Sequence, residues 1–255
     1  MNPFGAYSRY YDLLYRDKDY RGETEFIRTL LGRHRPGTES ILELGCGTGI
    51  HAALLAGEGF NVHGVDRSVE MLEQAQIRKN GLPAAALSRL HFSPGDLRTF
   101  RCGEKFDAVL ALFHVMSYQT TDHDLCAAFA TAKAHLREGG VFIFDCWYGP
   151  AVLLELPETR VKRLEDEEIE ATRIAEPVLH LNRNCVDVRY QVLIRERSSN
   201  RIETLNESHM MRYLFLPEIE TLFKRAGMRL AFSCEWMTGK EPGGDTWGVC
   251  FGGVL

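Results

Sequence analysis

Three alternating glycines stand behind an acidic residue in the segment Glu43-Leu44-Gly45-Cys46-Gly47-Thr48-Gly49. Glycine accepts positive φ angles and lets a ligand approach the backbone closely, so this pattern is typical of a loop that cradles a cofactor. The dinucleotide fingerprint Gly-x-Gly-x-x-Gly is the nearest alternative, but here the third glycine comes one position early and Ile50 occupies the fingerprint position. No Gly-Lys-Ser/Thr follows, which excludes a P-loop. A tight strand–helix turn without a ligand is the other interpretation.

Two further carboxylates follow the next predicted strands. Asp66 closes the second strand, where a carboxylate can accept two hydrogen bonds from ribose hydroxyls. Asp96 lies in the turn Gly95-Asp96-Leu97 after the third strand. The alternatives are an acid at a helix N-terminus for Asp66 and a turn residue that bonds its own loop for Asp96.

The predicted secondary structure that positions these residues is an alternation of strands and helices. Apolar runs predict strands at 40–44, 61–65, 90–93, 106–113 and 141–145. Helical patterns lie between them at 48–57, 68–79 and 122–136, with Ser68 as an N-cap and Gly139-Gly140 as a stop. This alternation predicts an α/β fold with a doubly wound, mostly parallel sheet, whose ligands bind beyond the carboxyl ends of the strands.

The alternation ends after Pro150. Strands are predicted at 186–194 and 201–205, with a third near 208–214, as a small antiparallel insert. A helix at 216–226 and strands at 229–234 and 246–255 follow. We therefore expect one domain: an N-terminal helical lid (1–36), a cofactor-binding core (37–150), an antiparallel cap (151–214) and a closing helix with strands (215–255).

The glycine loop with its acidic residue resembles the first motif of class I S-adenosylmethionine-dependent methyltransferases, and the resemblance covers about residues 38–146 and the closing strands. It implies a Rossmann-like sheet of seven strands and S-adenosyl-L-methionine as cofactor. Glu43 would face the cofactor's ammonium group, the glycine loop its methionine part, Asp66 its ribose, and Asp96 and Leu97 its adenine. The implied cofactor-binding residues are Tyr20, Glu43, Gly45, Cys46, Gly47, Gly49, Asp66, Arg67, Met71, Asp96, Leu97, Leu112 and Phe113. Residues 112–116 lack the Asp/Asn-Pro-Pro-aromatic stretch of nucleic-acid methyltransferases, which argues against base methylation.

Outside the core, the chain resembles N-methyltransferases that act on nucleotide-linked amino sugars. The resemblance lies in the tyrosine-rich stretch 7–20, in Glu207-Ser208-His209 with Arg212, and in the helix that follows. It places Tyr11 near the acceptor. Tyr118 stands where those enzymes place an active-site histidine, so an O-methylating relative is a second interpretation.

The candidate acceptor site combines a base with aromatic groups. We predict His114 as the general base, because histidine titrates near neutrality, with Tyr118 and Tyr11 orienting the acceptor. Trp147 and Tyr148 follow the fifth strand, where an acceptor would enter. Four insert arginines, Arg189 and Arg212 among them, could clamp a diphosphate. Ordinary packing and scattered surface charge are the alternatives for these aromatic and basic residues.

Composition narrows the function classes. The net charge of −5 without a basic block argues against nucleic acid as a partner. No apolar run is long enough for a membrane span, no signal peptide is recognisable, and the seven scattered cysteines indicate a reduced, cytoplasmic protein. Asp122-His123-Asp124 is interpreted as the acidic first turn of a helix, so no metal site is expected.

The predicted function is methyl transfer to a small molecule, such as a nucleotide-linked sugar. Another metabolite as acceptor, or a catalytically silent cofactor-binding subunit, is the alternative, and a homodimer is compatible with the sequence.

Overall fold

The computed structural model describes residues 13–255, which form two compact units. The larger unit comprises residues 20–155 and 212–255, and the described part of the smaller unit comprises residues 13–19 and 156–211. Within residues 13–255, no helix combines the length and the apolar composition needed to span a bilayer. All seven cysteines are free.

The larger unit begins with a helix and then alternates strands and helices up to residue 155. Its elements in this stretch are α1 (Tyr20–His34), β1 (Ser40–Leu44), α2 (Ile50–Gly57), β2 (Asn61–Asp66), α3 (Val69–Asn80), α4 (Ala84–Leu87), β3 (Leu90–Pro94), β4 (Phe106–Ala111), a 3₁₀ turn (Val115–Tyr118), α5 (Asp122–His135), β5 (Leu136–Tyr148) and α6 (Gly149–Glu155).

The smaller unit contributes an antiparallel β-structure. Its elements are β6 (Arg160–Glu165), β7 (Ile169–His180), a 3₁₀ turn (Leu181–Arg183), β8 (Cys185–Glu196) and β9 (Ile202–Leu214), whose last residues belong to the larger unit. The larger unit then closes with α7 (Leu216–Arg225), β10 (Arg229–Glu235) and β11 (Gly248–Val254).

The sheet of the larger unit has five parallel strands in the order β3-β2-β1-β4-β5. β11 pairs antiparallel with β5 and with β10, which makes seven strands. Two buried clusters cover its faces, one formed with α5 and α7 and the other with α1 and α2. The predicted doubly wound, mostly parallel sheet with an antiparallel insert is confirmed.

Local sequence explains most of these boundaries. Ser68 is the N-cap of α3 and accepts a hydrogen bond from the amide of Met71. β4 is buried along its whole length, as expected for a central strand of a parallel sheet. The predicted start of β5 at residue 141 was too late: the strand begins at Leu136, directly after α5, and runs through Gly139 and Gly140.

The insert differs more from the prediction. The two strands expected at 201–205 and 208–214 are a single strand, β9, and no glycine or proline interrupts Ile202–Leu214. β6 and β7 were not predicted. They pair antiparallel from Arg160–Ala175 to Glu165–Glu170, and β7 pairs with β8 over its full length. Leu13 and Leu14 pack in this unit against Ile169, Val192 and Ile194.

Asp107 in β4 ties the amino-terminal end of the sheet together. Its Oδ2 accepts hydrogen bonds from the amides of Glu39 and Ser40 at 3.1 and 3.0 Å, and its Oδ1 lies 3.0 Å from Arg137 Nη1. Burial opposes ionisation, but these hydrogen bonds prevail and hold the pKa of Asp107 well below its usual range. The carboxylate therefore stabilises the folded state only while it is ionised.

We predict that Asp107→Asn lowers the free energy of unfolding by about 2 kcal/mol, because it removes the buried charge that accepts hydrogen bonds from the Glu39 and Ser40 amides. The wild-type contribution is complete above about pH 4, the usual pKa of an unfolded aspartate, and is lost as the pH falls towards the lower pKa of the folded state. Urea unfolding at pH 7 and pH 3 measures both effects. Glu104→Gln, an exposed acid before the same strand, is the control, and equal stability of the two variants would contradict this account.

Candidate active site

The glycine loop leaves β1 with all three glycines in the left-handed region, at φ 76° for Gly45, 53° for Gly47 and 72° for Gly49. A Cβ at Gly45 would lie 2.7 Å from Val115 Cγ1, and one at Gly49 would lie 2.6 Å from Phe92 Cζ. A Cβ at Gly47 would meet nothing within 4 Å. Packing therefore requires the outer two glycines, whereas Gly47 borders open space that a ligand can fill.

Asp66 holds this loop in place from the end of β2. Its Oδ2 accepts a hydrogen bond from the Gly47 amide at 2.8 Å, and its Oδ1 accepts one from the Ser68 amide at 2.9 Å. Each carboxylate oxygen has a second lone pair, so Asp66 can still accept hydrogen bonds from hydroxyl groups.

Glu43 lies at one end of a series of polar side chains that contact one another. Its side chain is 2% exposed, and its Oε1 lies 3.8 Å from His51 Nδ1. His51 Nε2 lies 2.7 Å from an oxygen of Glu23, whose other oxygen accepts a hydrogen bond from Trp236 Nε1 at 3.1 Å. This series of contacts connects β1 with Trp236, which directly follows β10.

Burial, opposed by His51 and supported by Asp66, raises the pKa of Glu43 to about 7. Glu43 Oε2 is buried and makes no hydrogen bond to any residue between 13 and 255. A buried acceptor without a partner costs free energy, so this oxygen is suited to a cationic ligand group.

Asp96 forms an ion pair within its own loop. Both of its oxygens contact the Arg98 guanidinium, at 2.9 and 2.6 Å, and Arg98 also binds Asp124 at 2.9 Å. The Arg98 hydrogen bond lowers the pKa of Asp96. Leu97 packs partly buried against the core, so the predicted adenine-binding pair sits on a rigid turn.

The remaining predicted cofactor residues surround the same end of the sheet. Cys46 is buried, and burial raises the pKa of its thiol. Met71 lies in the first turn of α3, and Arg67 is exposed just before that helix. The Tyr20 ring meets His51 edge-on at a centroid distance of 5.0 Å.

The chain takes an unusual turn after β4. Leu112 is buried, and then Phe113 and His114 both adopt the left-handed region, at φ 64° and 60°. Two consecutive non-glycine residues in this region store strain, which is concentrated at functional sites. The buried carboxylate of Asp145 fixes the turn, since its Oδ2 accepts the His114 amide at 3.1 Å and lies 2.7 Å from His114 Nδ1.

A cavity of about 410 Å³ opens beside His114 at the carboxyl ends of β4 and β5. Aromatic and acidic side chains form its wall: Trp147, Trp236, Trp247, Glu235 and Asp245. The backbone amide of Trp147 donates to Ser117 Oγ at 3.0 Å, which ties the end of β5 to the 3₁₀ turn after His114. The cavity therefore adjoins a positioned histidine, as an acceptor site for group transfer requires.

Other predicted acceptor residues lie elsewhere. Arg212 is not part of the cavity wall: its guanidinium is buried against Asp122, at 2.7 Å, and Glu218. Arg189, in the smaller unit, binds Asp187 at 2.8 Å. Tyr118 is 45% exposed at the end of the 3₁₀ turn.

Tyr148 is half-buried beside Trp147, and burial raises its pKa. The predicted acceptor residue Tyr11 lies outside the described residues.

Several residues in this region were not predicted from the sequence. His51 and Glu23 join through a contact between two helices, and Trp236, Trp247 and Asp245 come from the β10–β11 loop. Asp145 could have been found, because an acid at the end of an apolar run follows the same pattern as Asp66.

An α/β sheet with this glycine loop and these strand-end acids defines an S-adenosylmethionine-dependent methyltransferase. The methyltransferase domain family matches residues 41–140. The chain is 30% identical to the dTDP-3-amino-3,4,6-trideoxy-alpha-D-glucopyranose N,N-dimethyltransferase of Streptomyces venezuelae, over 87% of this chain and 90% of the relative. It is 31% identical to the dTDP-3-amino-3,6-dideoxy-alpha-D-glucopyranose N,N-dimethyltransferase of Streptomyces fradiae, over 94% of this chain and 88% of the relative.

The crystal structure of Streptomyces venezuelae DesVI superposes with a TM-score of 0.81 at 25% identity, and the match covers 100% of this chain and 98% of that one. This chain belongs to the class I S-adenosylmethionine-dependent methyltransferases, the family that contains these sugar N,N-dimethyltransferases. It is a methyltransferase enzyme, and its cofactor is S-adenosyl-L-methionine.

The residues present fit this cofactor. The open space above Gly47 and the partnerless Oε2 of Glu43 are suited to a methionine moiety with its ammonium group, and Asp66 is suited to a ribose. When bound, the cofactor supplies a methyl carbon activated by a sulfonium.

We predict that Gly47→Val lowers the affinity for S-adenosylhomocysteine at least about 100-fold, because the side chain fills the ligand's space. Thermal unfolding with and without S-adenosylhomocysteine measures this loss. Gly37→Val is the matched control: Gly37 also has a positive φ, 76°, and nothing within 4 Å, but it lies in an exposed turn before β1. If both variants keep the ligand-induced shift, the glycine loop does not bind the cofactor.

We also predict that the affinity for S-adenosylhomocysteine rises with pH through about 7, because its ammonium group binds the ionised form of Glu43. Below that pKa the affinity falls by about tenfold per pH unit. Calorimetric titration between about pH 5 and 7, below the usual α-amino pKa of about 7.7–8.0, measures this slope. Glu43→Gln is expected to bind weakly with no slope; a flat profile for the wild type would contradict the role of Glu43.

Proposed function

We propose that this enzyme methylates the amino group of a nucleotide-linked amino sugar. The observation that carries the proposal is the His114–Asp145 pair beside a cavity walled by tryptophans and carboxylates. The relatives from Streptomyces venezuelae and Streptomyces fradiae, which are dTDP-amino-sugar N,N-dimethyltransferases, support it.

His114 acts as the proton acceptor. Because Nδ1 lies 2.7 Å from the buried Asp145 carboxylate, Nε2 is the ring nitrogen available to the acceptor. The close contact with Asp145 restricts the orientation of the His114 ring. A sugar ammonium group must lose a proton before its lone pair can attack, and His114 takes that proton.

Glu235 and Asp245 attract the ammonium group of the acceptor, and the tryptophan faces offer a surface on which the sugar ring can pack. Bound S-adenosylmethionine would supply the methyl carbon to the nitrogen lone pair, and its sulfur would take the electron pair of the broken carbon–sulfur bond. The residues of this chain mainly hold the nitrogen at attack distance, which supplies much of the rate enhancement.

O-methylation of a sugar hydroxyl is the second candidate. By the resemblance seen in the sequence, Tyr118 takes the place of an active-site histidine, and a His114–Asp145 pair could also deprotonate a hydroxyl. A cytoplasmic location and a homodimer stay predictions from the sequence.

Thermal unfolding with S-adenosylhomocysteine, followed by dTDP, UDP or GDP added separately, tests the nucleotide-linked acceptor. A ligand at about 100 times its dissociation constant adds about 2.7 kcal/mol to the free energy of unfolding, which raises Tm by several degrees. We expect dTDP to add a second shift. A second shift from UDP or GDP instead of dTDP would identify a different nucleotide on the acceptor. No second shift from any of the three would contradict a nucleotide-linked acceptor.

We predict that His114→Asn lowers kcat by about 10²-fold or more and changes the affinity for S-adenosylhomocysteine less than about twofold, because it removes only the proton acceptor. His123→Asn is the control, since the His123 side chain is 92% exposed. Steady-state kinetics and calorimetry separate the two quantities. An unchanged kcat in His114→Asn would exclude this histidine as the base.

A further inference from the structure

Cys234 and Cys250 stand directly opposite each other on the antiparallel strands β10 and β11. Residues paired in this way have Cα atoms about 4.5 to 5.5 Å apart, and a disulfide spans Cα atoms about 4.4 to 6.8 Å apart. Both thiols are free, and the Cys250 thiol donates a hydrogen bond to Cys234. The strand pairing therefore holds two thiols at a separation that a disulfide can span.

A second cavity, of about 320 Å³, gives access to one of these thiols, and we call it the thiol cavity. Cys234 lines it together with Arg33, whereas Cys250 is fully buried and is not part of its wall. His34 and Phe232 stack in the same wall at a centroid distance of 4.2 Å. A small molecule that enters the thiol cavity therefore meets Cys234 and not Cys250.

The surroundings also give the two thiols different reactivity. The hydrogen bond from Cys250, supported by the charge of Arg33, lowers the pKa of the Cys234 thiol although burial opposes this effect. Burial raises the pKa of Cys250 well above its usual range. Since the thiolate is the nucleophilic form of cysteine, Cys234 is suited to react first and Cys250 to stay protonated beside it.

The cysteine pair lies close to the cavity beside His114. Two residues further along the same two strands, the Trp236 amide donates a hydrogen bond to the Gly248 carbonyl at 2.9 Å. Side chains two residues apart share a face of a strand, and Trp236 and Gly248 both line the cavity beside His114. A Cβ on Gly248 would lie 3.8 Å from His114 Cε1. A covalent bond between Cys234 and Cys250 would therefore restrain the strands that carry this wall.

We propose that Cys234 and Cys250 form a reversible oxidation site for a small hydroperoxide, and that the disulfide alters the wall of the cavity beside His114. The site is independent of the identity of the methyl acceptor.

The oxidation takes two steps. In the first, the Cys234 thiolate attacks one peroxide oxygen, the oxygen–oxygen bond breaks, and the other oxygen takes a proton from solvent and leaves as water or an alcohol. In the second, Cys250 sulfur attacks the Cys234 sulfur of the resulting sulfenic acid, and the hydroxyl leaves as water with the Cys250 proton. Each sulfur loses one electron, and these two electrons reduce the peroxide.

Peptide mapping of the full chain, treated with a small excess of hydrogen peroxide and then alkylated without reduction, tests the site. Trypsin cleaves after Lys240, so that Cys234 and Cys250 fall in separate peptides, 230–240 and 241–255, each with one cysteine. We expect a disulfide to join these two peptides and dithiothreitol to release them. Absence of the joined peptide would overturn the proposal.

The rate of thiol loss tests whether the surroundings of Cys234 matter. Cys102 and Cys126 are more exposed than Cys234 and serve as internal references. We expect the Cys234 thiol to be lost at least about tenfold faster than either reference, because it has the lowered pKa and the hydrogen-bonded neighbour. Equal or faster loss at Cys102 or Cys126 would contradict a built site.

Variants test the order of the two steps. In Cys250→Ser, Cys234 is expected to stop at the sulfenic acid, which dimedone traps. Cys126→Ser is the matched control, because Cys126 lines neither cavity, and it is expected to form the joined peptide as the wild type does. Absence of a dimedone adduct on Cys234 in Cys250→Ser would overturn Cys234 as the thiol that reacts first.

Tryptophan fluorescence tests the effect on the cavity beside His114, because all three tryptophans of the chain line that cavity. Oxidation of the wild type is expected to change the emission, dithiothreitol to restore it, and Cys250→Ser to show no such reversible change. Unchanged emission in the wild type after the joined peptide has formed, or the same change in Cys250→Ser, would overturn the link between the disulfide and the cavity wall.

Discussion

The buried carboxylate of Glu43 is the constraint around which this end of the molecule is organised. It stands at the end of a central strand with one oxygen that lacks a hydrogen bond from residues 13–255. His51 offsets part of the cost of burying it. His51 also contacts Glu23, which accepts a hydrogen bond from Trp236 in the acceptor cavity. A cationic ligand group at Glu43 would complete a site that the protein alone leaves unfinished.

A second constraint lies after β4, where Phe113 and His114 occupy a strained turn. Asp145 contacts both the amide and the ring of His114, so one buried acid fixes the backbone and orients the base. The glycine loop follows β1 and the proton acceptor His114 follows β4. These two strands pair in parallel and end on the same side of the sheet. The sheet therefore holds the glycine loop and the proposed base close to each other.

Strand ends and helix caps were readable from the sequence because they depend on local chemistry. Glu43, Asp66 and Ser68 each follow from a short pattern, and the core strands lie close to their predicted positions. β6 and β7 escaped prediction because their residues are mostly exposed or half-buried and show no clean alternation. The Glu23–His51 and Trp236–Glu23 pairs join distant parts of the chain, and no local pattern encodes such contacts. Arg212 contacts Asp122 and Glu218, partners that no local pattern around it indicates, and its role in a diphosphate clamp stays a prediction.

Methyl transfer to nitrogen is the central claim, and mass spectrometry of the product tests it most directly. The enzyme is incubated with S-adenosylmethionine and a dTDP-linked 3-amino sugar, with the matching 3-hydroxy sugar in parallel. The account predicts that the amino sugar gains methyl groups on nitrogen, with one S-adenosylhomocysteine released for each, and that the hydroxy sugar stays unchanged. Methylation of the hydroxy sugar, with the amino sugar left unmodified, would contradict it.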